Sequence, residues 1–140
     1  MAAAATGAAV LAGCSSTPPE YTPPPGQLVP GTAQVTINGH DTGTTQSVRC
    51  TPAGSLMTIT TGNGTSGVSA LVSSAEELVV RGVGIRDVGG FTGSYNDGLE
   101  GEASVTMSGR TYDIEGTAEG FTTDKPSFRT SGTFAIKASC

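Results

Sequence analysis

Three cysteines are the residues of this chain with the most distinctive chemistry. Cys14 ends the run MAAAATGAAVLAGC and is followed at once by SSTPPEYTPPPG. Small side chains at Ala12 and Gly13 let the backbone lie extended in the cleft of a signal peptidase. Cleavage after Gly13 would leave Cys14, with its thiol, as the first residue. Cys50 and Cys140 are the other two. In an exported chain an even pair predicts a disulfide, the alternative being two free thiols.

The segment before Cys14 is typical of a secretion signal. It has 13 small or apolar residues, whereas a membrane-spanning helix takes roughly 20. Leu11-Ala12-Gly13-Cys14 resembles the bacterial lipobox, in which the cysteine sulfur receives a diacylglycerol and the preceding peptide is removed. The alternative is a buried helix in which Cys14 is an ordinary apolar residue. No Lys or Arg precedes Cys14, although such signals usually begin with one.

The charge of the chain limits the partners that it can have. It carries 7 Lys and Arg against 12 Asp and Glu, a formal net charge of -5, and all of these residues follow Cys14. An acidic surface argues against binding nucleic acid and against electrostatic docking on anionic lipid. Attachment to a membrane must then come from acyl chains on Cys14, and several chains on one cysteine give stable anchoring.

Three segments are predicted: a signal peptide over residues 1–13, a Pro-rich linker with the lipidated Cys14 over residues 14–31, and a β domain over residues 32–140. The linker holds six of the eight prolines, which favour extended polyproline II and a semi-rigid spacer. We therefore expect it to hold the domain away from the surface that anchors it.

Strand-like alternation predicts an all-β domain. Ala33, Val35 and Ile37 alternate with polar residues before Asn38-Gly39, a strong hairpin turn signal. Val48 and Cys50 are assigned to the returning strand, and further alternating runs follow to the end of the chain. Seven to nine short strands predict an antiparallel β-sandwich or flattened barrel. Because there are 21 Gly and only 5% aromatic residues, we expect Val, Ile, Leu and Ala to form the core.

One predicted hairpin places two carboxylates side by side. If Ser108-Gly109 is a two-residue turn, Val105 faces Tyr112 on the inner side. Glu102 then faces Glu115 on the outer side, where like charges repel. Ca²⁺ would relieve the repulsion, but a solvated acidic face is the simpler interpretation, and we predict no metal site.

No catalytic residues and no cofactor are predicted. His40 is the single histidine and flanks the Asn38-Gly39 turn, which indicates a solvated residue rather than a general base. Asn63-Gly64-Thr65 matches a glycosylation sequon. We give this match little weight, because the lipobox indicates a bacterial lipoprotein.

Several stretches together carry a family resemblance. These are VTINGHDTGTTQSVRC, GVSALV, VGIRDVGGFTGSY, GEASVTMSGRTYDIEGTAEG and the terminal Cys, and they resemble the mycobacterial 19-kDa lipoprotein antigen family. The resemblance implies an acylated Cys14 and a disulfide between Cys50 and Cys140. It also implies a non-catalytic lipoprotein of the cell membrane, exposed at the cell surface, that acts as antigen and adhesin and whose lipidated terminus is recognised by host Toll-like receptor 2. A carrier of envelope lipid or glycolipid is the alternative, and it requires an apolar cavity.

Overall fold

All the regular structure of residues 22–140, the part of the chain that the computed structural model describes, is β-strand. The predicted signal peptide, Cys14 and the first part of the predicted linker lie outside these residues. The strands are β1 (Ala33–Ile37), β2 (His40–Thr45), β3 (Arg49–Ala53), β4 (Leu56–Gly62), β5 (Gly67–Ser73), β6 (Val79–Val88), β7 (Phe91–Asn96), β8 (Ala103–Ser108), β9 (Thr111–Thr122) and β10 (Lys125–Ser139).

These strands form one antiparallel sheet. Its order is β2-β1-β10-β9-β7-β6-β5-β4-β3, and β8 pairs with β9 beside this path. The long strand β9 pairs with β10 along one edge, while β8 and β7 share its other edge. The predicted all-β antiparallel class is confirmed, in the form of a single sheet curled into a half-barrel.

The disulfide shows how strongly the sheet curls. β3 and β10 are six strand spacings apart in the sheet order, which would be roughly 29 Å in a flat sheet. The Cα atoms of Cys50, in β3, and Cys140, just after β10, are nevertheless 5.9 Å apart. The sheet therefore bends back until its far edge meets the end of β10.

Side chains also link β2, at one end of the sheet order, to β4, the strand next to the other end. β2 and β3 stand at opposite ends of the sheet order but are joined by residues 46–48. Side chains close the gap: the Thr45 and Thr61 hydroxyls are hydrogen-bonded to each other, and the Ser47 hydroxyl both donates to the Gly62 carbonyl and accepts from its N–H, each at 3.1 Å. Side-chain hydrogen bonds thus replace a backbone ladder at this seam.

The inner face of the curled sheet is the hydrophobic core. It comprises Ala33, Val35, Ile37, Ile59, Val68, Ala70, Val72, Val80, Val83, Ile85, Phe91, Tyr95, Tyr112, Ile114, Ala118, Phe134, Ile136 and Ala138. Val, Ile and Ala predominate, as predicted, but the core contains no Leu and does include four aromatic residues. The expectation that Val, Ile, Leu and Ala would form the core was therefore wrong for Leu and for the four positions that aromatic residues occupy.

Glycines make room for the buried aromatic rings. A β-carbon on Gly132 would lie 2.8 Å from the Phe91 ring, and one on Gly93 would lie 2.7 Å from the same ring. Gly116 is related in the same way to Phe134, at 2.9 Å. Each ring covers a strand position that has no side chain, an arrangement that also tightens the curl.

The first hairpin is confirmed at its turn and corrected in its returning strand. Asn38 and Gly39 both have positive φ, at 52° and 80°, as a type I′ turn requires, and Ile37 pairs with His40. The strand that returns is β2, whereas Val48 and Cys50 were assigned to it from their alternation. β2 is polar and exposed, so its sequence, HDTGTT, lacks the apolar alternation that marks a strand.

The last residues of the predicted linker contact the domain. The Leu28 N–H donates to the Thr111 hydroxyl at 3.1 Å, and the Gly31 N–H donates to the Ser139 carbonyl at 2.9 Å. The chain therefore enters the fold at the end where β10 finishes and β9 begins.

Removing the disulfide is expected to destabilise the domain. Changing Cys50 and Cys140 together to Ala opens a loop of 90 residues and should lower the free energy of unfolding by about 2–4 kcal/mol. Urea unfolding of the variant, beside the parent protein with and without reductant, measures this. An unchanged midpoint in the variant would show that the sheet holds its curl without the covalent link.

A methyl group at Gly132 is expected to disturb the core. Gly132→Ala pushes a β-carbon against the Phe91 ring and should cost about 1–3 kcal/mol. Gly64→Ala is the matched control, because a β-carbon there meets nothing within 4 Å, and it should stay within about 0.5 kcal/mol of the parent. Equal effects of the two substitutions in thermal melts would contradict the role given to Gly132.

Candidate functional site

Two of the three predicted site residues come together. Cys50 lies opposite Ile59 on the inner face of the β3–β4 pair, which aims its sulfur into the core, and it is bonded there to Cys140. The Cys140 N–H donates to the Arg110 carbonyl at 3.1 Å, which fixes the end of β10 beside the β8–β9 turn. Cys14, the predicted lipidation residue, lies outside the described residues.

The disulfide and the entry of the chain lie at the same end of the half-barrel. Gly31 is hydrogen-bonded to Ser139, the residue before Cys140. We call this the entry end. A chain anchored before residue 27 joins the domain at the entry end. Strands β9 and β10 extend from this end toward the other end of the half-barrel.

The predicted acidic pair is not directly opposed. In the structure Ser108 pairs with Thr111, so the turn is Gly109-Arg110 rather than Ser108-Gly109, and every β8–β9 pair is displaced by two residues. Gly109 has φ +59° at the first turn position, which type II′ turns fill with glycine. A shift of two residues keeps each side chain on its predicted face, which is why the inner and outer assignments were right although the partners were wrong.

This shift removes the reason for a calcium site. Glu115 faces Ser104, and Glu102 lies beside Thr117, exchanging hydrogen bonds of 2.9 and 3.2 Å with it. Both carboxylates are exposed. Across residues 22–140, no three His, Cys, Asp or Glu side chains are grouped in a way that could hold a metal ion.

His40 flanks the first turn on the exposed surface, as its position in the sequence predicted. Asn63 of the sequon-like triplet caps its own loop, because its side-chain oxygen accepts from the Thr65 N–H, the Thr65 hydroxyl and the Ser66 N–H at 2.8–3.0 Å. Neither residue belongs to a group of catalytic side chains.

Two large apolar side chains stand in solvent on the outer face. Leu99 is 72% exposed and Phe128 is 70% exposed. An ion pair links their chain neighbours, because the Arg129 guanidinium lies 3.4 Å from Glu100 and 3.7 Å from Glu119. We call Leu99, Glu100, Phe128 and Arg129 the Leu99–Phe128 surface.

A break in the β9–β10 ladder produces this surface. Lys125 pairs with Thr122, but the next pair is Thr130 with Gly120, so that residues 126–129 oppose Phe121 alone. The extra residues bulge outward and carry Phe128 into solvent. Beside them, a hydrogen bond from Thr122 lowers the pKa of the Asp124 carboxyl. Sequence reasoning missed the surface, since one Phe in DKPSFRT shows no periodicity.

The Leu99–Phe128 surface is remote from the entry end. Ten residues of β10 separate Ser139 from Arg129, roughly 30 Å of extended strand. A chain tethered at the entry end therefore presents Phe128 away from the tether.

The apolar cavity that a lipid carrier needs is not supplied by the inner face. Phe91, Ile37, Ile59, Ile114 and Ile136 are among its side chains that are less than 2% exposed, and together they fill the concave side of the sheet. In the described part of the chain, we find no helix with the length and apolar character to cross a membrane.

Comparison with known proteins identifies related chains. The family profile described as Mycobacterium 19 kDa lipoprotein antigen matches residues 26–140. A putative lipoprotein of Mycobacterium indicus pranii is 38% identical over 134 residues, which cover 95% of this chain and 91% of that protein. Lipoprotein LpqH of Mycobacterium tuberculosis is 35% identical over 115 residues, or 79% of this chain and 72% of that protein. A putative lipoprotein of Mycobacterium avium is 34% identical over 80% of this chain and 78% of its own length.

Proposed function

The chain belongs to the Mycobacterium 19 kDa lipoprotein antigen family, and we propose that it is anchored to the cell membrane through an acylated Cys14. As a lipoprotein antigen, it would act at the cell surface as a non-catalytic adhesin. The observation that carries this proposal is the position of Cys14 in the sequence. It follows Leu11-Ala12-Gly13, within the 95% of the chain that matches a relative named a putative lipoprotein.

The architecture suits a tethered domain. Acyl chains on Cys14 supply the membrane affinity that an acidic surface does not. The prolines that follow space the domain from the membrane, and residues 28 and 31 are hydrogen-bonded at the entry end. The Leu99–Phe128 surface then faces outward, where an adhesin would make contact.

Recognition by host Toll-like receptor 2 is part of this proposal. The family resemblance supports it, and it assigns recognition to the lipidated terminus rather than to the β domain. The antigen and adhesin roles would then use the folded surface, and receptor recognition would use the acyl chains.

Two features support a role without catalysis. The single histidine, His40, is exposed at a turn. A general base in a water-excluded site would instead be buried within reach of the substrate. The Asp124 carboxyl, whose pKa is lowered by a hydrogen bond from Thr122, lies on the exposed surface, whereas active sites tend to hold buried groups with perturbed pKa values.

Removing the Cys14 thiol is expected to release a folded protein from the membrane. Cys14→Ala deletes the acylation site and leaves every contact among residues 22–140 in place. Carbonate-washed membranes should retain the parent protein and lose the variant, while the two β domains melt at the same temperature. Ser15→Ala is the matched control and should stay anchored. Retention of the Cys14→Ala variant would contradict the lipobox interpretation.

Removing the exposed apolar side chains is expected to weaken adhesion without unfolding the domain. Changing Leu99 and Phe128 together to Ser removes apolar area that contributes nothing to the core, so stability should change by less than about 0.5 kcal/mol. Met107→Ser is the control, since Met107 is also exposed, at 43%, but near the entry end. Binding of bacteria that display each form to host cells measures the effect. Equal adhesion of all forms would place the contact elsewhere.

A further inference from the structure

A groove of about 720 Å³ lies across strands β3 to β6, and its lining contains two arginines and no carboxylate. The strand register shows how it is built. Arg49, Thr60, Ser69 and Gly84 pair in succession from β3 to β6, so they form one row on the outer face. Arg86 stands two residues beyond Gly84 on the same face.

Glycines form the floor of the groove. Gly62 and Gly67 face each other across β4 and β5, and a β-carbon on either would lie within 2.5 Å of backbone atoms of the opposite strand. A β-carbon on Gly84 would lie 3.1 Å from the Ser69 hydroxyl. Glycine is thus required for the close approach of these strands, and no side chain rises from these three positions into the groove.

The bare floor lets Arg86 extend across the groove. Its guanidinium donates to the Asn63 carbonyl at 3.2 Å, although Asn63 follows β4 and Arg86 belongs to β6. The side chain thus passes over Gly67 and holds its positive charge on the side where Arg49 stands. One hydrogen bond to a neutral carbonyl leaves most donors of this five-donor group for a ligand.

The positive charge of the groove is not neutralised by a carboxylate of the described residues. Arg81 and Arg129 are paired with carboxylates, but within residues 22–140 Arg49 and Arg86 form no ion pair. Asp87 is the chain neighbour of Arg86, and its carboxylate accepts from the Thr123 hydroxyl at 3.0 Å. Glu119, two strands beyond Gly84, binds Ser131 and Arg129.

Two other grooves on the outer face lack this character. One, of about 530 Å³, contains Glu102 and Glu115. The other, of about 620 Å³, contains Glu100 and Glu119 together with Arg129. A further groove, of about 580 Å³, contains Lys125 and Arg129 together with Asp124. On a chain with a net charge of -5, the groove between Arg49 and Arg86 is the one of these four whose lining has cations and no carboxylate, which favours an anion.

We propose that the groove between Arg49 and Arg86 binds a phosphate-bearing ligand. Guanidinium groups form strong charge-assisted hydrogen bonds with phosphate oxygens. The hydroxyls of Thr60 and Ser69 add donors between the two arginines, and a tetrahedral oxyanion accepts from several directions at once. The phosphate belongs either to a soluble metabolite or to the headgroup of a membrane lipid, and both carry the same recognised group.

A titration followed by amide NMR tests this proposal. The full chain carrying Cys14→Ala is used, so that acyl chains do not contribute to binding. Inorganic phosphate and glycerol 3-phosphate are the soluble probes, with glycerol as the uncharged control. Both phosphates should produce saturable shifts of the Gly62, Gly67 and Gly84 amides, and glycerol should produce none.

Three charge-neutralising variants locate the site. Arg49→Gln and Arg86→Gln should each weaken phosphate binding by about tenfold or more. Arg110→Gln removes the same charge at the β8–β9 turn and should bind like the parent protein. Arg86→Gln also removes the hydrogen bond to Asn63, whereas the Arg49 side chain makes no hydrogen bond or ion pair with the described residues. Arg49→Gln therefore decides the matter if Arg86→Gln alone is destabilised.

Vesicles distinguish the two sources of phosphate. Binding to phosphatidylglycerol vesicles but not to phosphatidylcholine vesicles, lost in Arg49→Gln, would assign a lipid headgroup, and binding of the soluble probes alone would assign a metabolite. The proposal is overturned if neither the soluble probes nor the vesicles bind saturably. It is equally overturned if Arg110→Gln weakens binding as much as Arg49→Gln does, because the effect would then follow net charge alone.

Discussion

The whole domain depends on one constraint: a single sheet has to bury its own inner face. Two packed sheets would each cover the other, but here the strands that supply one wall of the core also supply the opposite wall. The curl is therefore a condition for having a core at all. Close approach at Gly93, Gly116 and Gly132 allows it, and the Phe91 and Phe134 rings fill the concave space that results. The bond between Cys50 and Cys140 then fixes the closed shape.

Local features of the fold could be predicted from the sequence because local chemistry determines them. Asn38-Gly39 specifies its turn by backbone conformation, and alternation placed Val105 and Tyr112 on the inner face. The β8–β9 register was missed because Gly109 serves either as the second residue of a Ser108-Gly109 turn or as the first of Gly109-Arg110, and both choices give the same faces. The polar strand β2 was missed for the opposite reason, since pairing with β1 rather than its own composition makes it a strand.

Long-range placement could not be predicted from the sequence. The groove brings Arg49 within reach of Arg86 through the strand order β3-β4-β5-β6 and through the absence of side chains at Gly62 and Gly67. No sequence pattern indicates the order of these strands or shows that Gly62 and Gly67 face each other. The Cys50–Cys140 disulfide could be predicted only because, once Cys14 is assigned to lipidation, the two remaining cysteines have a single way to pair. Cys14 shows the reverse case, a candidate site that the sequence alone specifies and that lies outside the described residues.

The seam between the edge strands bears on how such molecules behave when crowded on a membrane. Open sheet edges invite neighbouring chains to add strands, and a two-dimensional layer of tethered proteins keeps those edges at high local concentration. In this fold the edge strand β2 and the loop that follows it are held against β4, next to the opposite edge of the sheet. They are fastened by Thr45, Ser47 and Thr61, and Pro52 within β3 has no N–H to offer to a further strand. These contacts and Pro52 leave little open backbone at the seam, so a neighbouring copy in a dense coat has less edge to extend there.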